Sequence, residues 1–128
     1  MGNVLLWKKL KDMTVFRVFL ILLFINIVAF TITASNATGW NLVSVFINDI
    51  KAMSWNGQFN VDFSSYLALS ALWIAWRHRF SGPGIAMALV ALVMGIMVFA
   101  PYVLIASMKA KGDVRQLVLG EQAGTTEA

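Results

Sequence analysis

The chain contains no cysteine, and that absence removes disulfides, thiolate nucleophiles, thiol–disulfide exchange and cysteine-rich metal sites together. Histidine occurs once, at His78, so no multi-histidine metal site can form. Charge is scarce: 12% of residues, about half the share usual in soluble domains. No glycine-rich phosphate loop, GxSxG elbow or HExxH motif is present. These absences predict a protein that is not an enzyme, with no cofactor, no metal and no catalytic residues. The net charge is +4, with its cations beside apolar runs. A nucleic-acid binder would instead show a basic face with interleaved aromatics on a soluble fold, so no nucleic-acid partner is expected.

What the chain has is apolar side chain. Of 128 residues, 59% are hydrophobic, more than a soluble fold of this size can hide from water. Lipid removes that difficulty, because helix exteriors are then free to be apolar. The expected fold is all-α and integral to the membrane: three transmembrane helices plus a short interfacial amphipathic helix in the first outer loop.

Residues 1–14 form a basic amphipathic segment carrying Trp7, Lys8, Lys9 and Lys11, suited to the headgroup layer. Residues 15–34 are the first span, about 30 Å at 1.5 Å per residue, with Arg17 near enough to the end to snorkel. The run is too long for a typical signal-peptide core. In the loop that follows, Val43, Phe46, Ile47 and Ile50 recur at helical spacing between Trp40 and Trp55, which predicts an interfacial helix over 40–53 and a turn over 55–58. The second span covers 59–77, with Asn60 or Asp62 as its cap. The Ser81-Gly82-Pro83-Gly84 turn makes an antiparallel hairpin with the third span, 85–108, in which Pro101 should bend the helix. Residues 109–128 read as a polar tail, disordered beyond Leu119.

With three spans, counting Lys and Arg in the loops favours a cytoplasmic N-terminus, six cations inside against four outside. The basic tail is the discordant piece, since it would suit an even number of crossings. Asn36-Ala37-Thr38 fits an N-glycosylation sequon.

Polar residues inside a span are candidate functional groups. Asp62, Ser65 and Tyr66 share one face of the second span, and Asn26 sits within the first. Gly84, Ala88, Ala91 and Gly95 form a small-residue face on the third, the kind of surface that lets helices approach closely. Arg77, His78 and Arg79 are a cationic cluster suited to a lipid headgroup. Two functions compete. One is an accessory or structural component that associates through its helices, as a homo-oligomer or in a larger membrane complex. The other is an oligomeric minimal transporter or channel component using Asp62 and Asn26.

Residues 40–107 resemble the small bacterial membrane proteins grouped as the domain of unknown function 2834. The resemblance rests on Gly39-Trp40-Asn41-Leu42 running to Phe46, on Phe59-x-x-Asp62 opening a serine-bearing span that ends in tryptophan, and on Gly95 followed by Phe99-Ala100-Pro101. The N-terminal basic segment and the tail depart from that pattern. The resemblance implies the three-span layout, marks Asp62 for testing, and implies a bacterial inner-membrane setting. It implies no activity.

Overall fold

The computed structural model describes residues 2–124, with side chains from Met13 onward; Met1, residues 125–128 and the side chains of the basic N-terminal segment lie outside the described residues. Six α-helices follow one another: α1 (Gly2–Thr38), α2 (Leu42–Lys51), α3 (Trp55–Arg77), α4 (Gly82–Met94), α5 (Ile96–Lys109) and α6 (Val114–Leu119), closed by a 3-10 turn over Gly120–Gly124. No strand occurs among the described residues.

Short polar side chains start several of these helices by accepting the free N–H groups of a first turn. Asn41 Oδ1 accepts from Ser44 N at 3.4 Å, Ser54 Oγ from Gly57 N at 3.3 Å, and Ser81 Oγ from Gly84 N at 3.3 Å. The Ser54 cap corrects one expectation. Residues 55–58 are the first turn of α3 rather than a loop, and neither Asn60 nor Asp62 caps it. The chain reverses just before, at Met53, which takes a positive φ. Gly57 then presses on the Asp49 and Ile50 backbone of α2, and Asn60 Nδ2 donates to Phe46 O at 3.2 Å. Helix α2 therefore runs antiparallel along the opening turns of α3.

Among the described residues one helix is both long and apolar enough to cross a membrane, the stretch Met13–Thr38 of α1. The expected three-span layout is not supported in that form. Helix α3 has the length but opens with polar Asn56, Gln58, Asn60 and Asp62. The third apolar run is cut in two at Gly95, leaving α4 and α5 with 13 and 14 residues, below the roughly 20 that a crossing needs. The break is at Gly95 and not at Pro101, which lies inside α5. Gly95 adopts φ 66, ψ −142, a conformation essentially reserved for glycine.

This break turns the chain around. Gly95 faces Phe63 and Leu67, 3.3 and 3.4 Å from where its Cβ would stand, midway along α3. Farther on, Tyr102 reaches back to Arg77 and His78 at the end of α3, and Ser107 reaches Arg17. Helices α4 and α5 thus form a hairpin whose two ends lie together. Three apolar clusters hold it. Ala88 and Ala91 of α4 pack on Ala71, Ile74 and Ala75 of α3, small residues permitting close approach. Leu20 of α1 packs on Ala100 and Val103 of α5. Met13 packs on Ala106, Ala110 and Leu117.

Two further expectations change with the turn. The tail does not lose its structure at Leu119: α6 and the 3-10 turn continue to Gly124, with Leu117, Gly120 and Ala123 buried. Nor does the tail lie across the molecule from Arg77; it is folded onto it.

Candidate functional site

The ends of α3 and α5 and the tail meet around Arg77. Its side chain is 8% exposed, although a lone arginine ending a helix would ordinarily face solvent. The guanidinium satisfies itself locally. Nε donates to Leu117 O at 2.6 Å and Nη1 to Tyr102 Oη at 3.1 Å, and the group stands 5.8 Å over both the Trp73 and Tyr102 rings. Charge-assisted bonds and cation–π contacts of this kind compensate for lost hydration. Nη2 makes no protein hydrogen bond among the described residues.

His78 continues the chain of contacts. Its Nε2 lies 2.6 Å from Tyr102 Oη and its Nδ1 3.4 Å from Glu121 Oε1. With a proton on Nδ1, His78 donates to Glu121 while Tyr102 accepts from Arg77 and donates to Nε2. Every contact then has a donor and an acceptor. Trp73 Nε1 donates to Val118 O at 3.2 Å, and Gln122 Nε2 donates to Trp76 O at 2.9 Å, so three α3 residues and the His78 that caps the helix bind the tail. Gly120 is seated directly on Arg77, where a Cβ would overlap the side chain and stand 2.8 Å from Arg77 O. A second tie closes the other flank: Arg17 Nε donates to Ser107 Oγ at 3.0 Å and Nη2 to Ser107 O at 2.9 Å.

A cavity of about 700 Å³ opens beside this cluster, between α1, α4 and α5. Phe24, Met87, Met97 and Pro101 are among its apolar lining residues, and Arg77, His78, Tyr102 and Lys109 are its polar ones. Among the described residues no group of three His, Cys, Asp or Glu side chains could hold a metal.

The residues singled out by sequence are distributed unevenly. Of the cationic cluster, Arg77 and His78 belong to the network, whereas Arg79 is exposed with positive φ, so the three do not form one patch. Asp62, Ser65 and Tyr66 are exposed on α3, and Ser65 Oγ donates to Val61 O of its own helix. Asn26 is exposed on α1, and the structure does not bring it to Asp62. The small-residue face is spent inside the chain: Gly84 against His78, Ala88 and Ala91 against α3, Gly95 against Phe63 and Leu67.

Sequence reading missed Tyr102, Glu121 and the Arg17–Ser107 tie. His78 has no carboxylate near it in sequence; the fold supplies Glu121. The available signal was charge, since the third apolar run is basic at both ends, Arg77 and Arg79 before it and Lys109 and Lys111 after. Compared with known proteins, the chain matches no family model, no curated protein and no solved structure.

Proposed function

We propose that the chain is a small integral membrane protein that serves as an accessory component and works by helix–helix association, not catalysis. The observation that carries this reading is the second half of α1. From Ile25 to Thr38 no residue of α1 is buried, and Asn26 makes no side-chain hydrogen bond among the described residues. In hydrocarbon an amide seeks a partner on another helix. The face bearing Asn26, Ala29 and Thr33 is where a second helix would lie, from another copy or from a larger complex.

Two crossings, α1 and α3, with α4–α5 entering and leaving on one side, suit the charge distribution better than three. Every Lys and Arg except Lys51 then falls on one side, by its position in the chain. Such an asymmetry fits a cytoplasmic basic side. A bacterial plasma membrane is the proposed setting, and it rests on the sequence resemblance of residues 40–107 alone, since no family model matches the chain.

Association is tested with a photo-crosslinking benzoylphenylalanine in place of Ala29, which inserts into C–H bonds and needs no reactive group on the partner. Irradiation in the native membrane is expected to give a discrete adduct, whose mass separates a homodimer from a complex. Adding Asn26→Leu should reduce its yield several-fold, from loss of an interhelical bond worth about 1 kcal/mol. If no adduct forms, association through α1 is wrong. Layout is tested separately by an impermeant maleimide. Cysteines at Gly2 and Ala128 should label from one side and a cysteine at Ala37 from the other; Ala128 labelling with Ala37 would restore three crossings.

A further inference from the structure

We infer that the cavity between α1, α4 and α5 is a binding site for one anionic amphiphile, a molecule with an oxyanion head and a single apolar chain. The volume of about 700 Å³ falls within the range of small-ligand sites, roughly 300–1,000 Å³. Its chemistry is divided along its length. The body is walled by Phe24 of α1, Met87 of α4 and Met97, Val98 and Pro101 of α5. No charged side chain lines that part, and two methionines give it a wall able to adjust to a flexible chain. The polar lining comes from Arg77 and His78, at the end of α3, and from Tyr102 and Lys109 in the second half of α5.

The donors there are not all consumed. Arg77 is fixed by Leu117 O and Tyr102 Oη through Nε and Nη1, which leaves Nη2 without a protein partner among the described residues. Lys109 is exposed and likewise has no ion-pair or hydrogen-bond partner among them. Two cations at one end of an apolar cleft, one of them buried and held rigid, match an anion that carries its own hydrocarbon. Glu121, the carboxylate in contact with this cluster, is engaged with His78.

The position agrees with the chemistry. The polar end lies where α3 and α5 end, and the apolar end lies toward Gly95, the tip of the hairpin. Met87, Ile105 and Lys109 remain exposed along the open side, so a chain could enter laterally. This site is separate from the α1 face proposed for a partner helix, and its occupancy is measured without reference to that partner.

A phosphate ester and a carboxylate share the required head chemistry, so both are tested. The full chain is purified in an uncharged maltoside and titrated with oleoyl lysophosphatidate, oleate or uncharged monooleoylglycerol, with bound molecules counted by native mass spectrometry. At least one anionic probe should bind one per chain, about tenfold more tightly than the glycerol ester, the factor expected for one charge-assisted bond. Retention of only one of the two anionic probes identifies the head group. Lys109→Gln, at an exposed position, should erase most of that preference while leaving the glycerol ester unchanged. Met87→Trp, also exposed, should block the chain-binding space and lower binding of all three probes. Equal binding of charged and uncharged probes, or unchanged binding by Lys109→Gln or by Met87→Trp, overturns the assignment.

Discussion

Replacing Arg77 with alanine is expected to free the last segment of the chain and to cost about 3–5 kcal/mol of stability. The guanidinium makes a 2.6 Å bond to Leu117 O and a 3.1 Å bond to Tyr102 Oη, and hydrogen bonds involving a charged group contribute about 1.5–3 kcal/mol each. Contact with the Trp73 and Tyr102 rings contributes about 0.5–2 kcal/mol, and because these contacts share one guanidinium and are not additive the total falls below their plain sum. Truncation would also leave a cavity under Gly120 and strip Leu117 O of its donor. Two measurements check this: the thermal midpoint in mild detergent, and limited proteolysis after Lys111 and Arg115, which should become fast. Arg77→Lys should fall between, since a lysine keeps the charge but loses the planar fork that serves two acceptors in different directions. A midpoint and a cleavage pattern unchanged in Arg77→Ala would mean that the tail is held without the guanidinium, by Trp73, Gln122, Glu121 and the packing of Leu117 on Met13.

The second large effect is expected at Gly95. At φ 66, ψ −142 a leucine costs about 1–3 kcal/mol in backbone strain, and its Cβ would start 3.3 Å from Phe63 Cζ. The chain has a way out. Leucine is a strong helix former, and α4 and α5 joined into one straight helix would cover residues 82–109, about 42 Å at 1.5 Å per residue. That is ample for a hydrocarbon layer of about 30 Å. A straightened helix would carry Tyr102 away from Arg77 and Lys109 to the opposite side. Gly95→Leu should therefore either lower the thermal midpoint strongly or move a cysteine at Ala128 to the other face in the labelling assay. A variant that kept both the midpoint and the labelling side would refute the account of the turn.

Much of the architecture was legible in the residues. Apolar runs marked the long helices and the Val43, Phe46, Ile47 and Ile50 stripe marked α2, whereas Ser81-Gly82-Pro83-Gly84, read as a turn, is the cap and first turn of α4, and the chain turns just before it at Arg79 and Phe80, both with positive φ. The reversal at Gly95 was not legible, because hydropathy records preference for lipid and carries no direction. Met94 and Ile96 are equally apolar whether the chain goes on or turns back. Proline drew attention to residue 101, yet α5 passes through it. The Arg77 site was hidden for a related reason. The partners of Arg77 lie 25 and 40 residues away, and one is a backbone carbonyl, which no residue type announces. Only the basic tail hinted at the outcome, since cations at both ends of an apolar stretch are what a segment returning to its side of entry would show.

The tip of the hairpin brings two opposite partial charges together. Helix α4 ends at Gly95 with its carbonyl end, the negative pole of the helix dipole, and α5 begins there with its amide end, the positive pole, each equivalent to about half an elementary charge. Gly95 N donates to Ala91 O at 2.8 Å, and Gly95 O accepts from Phe99 N at 2.9 Å, so the same residue closes one helix and opens the next. No side chain caps the start of α5. A mutual cancellation of poles explains how Met94-Gly95-Ile96 can hold a chain reversal at a place with no polar side chain of its own.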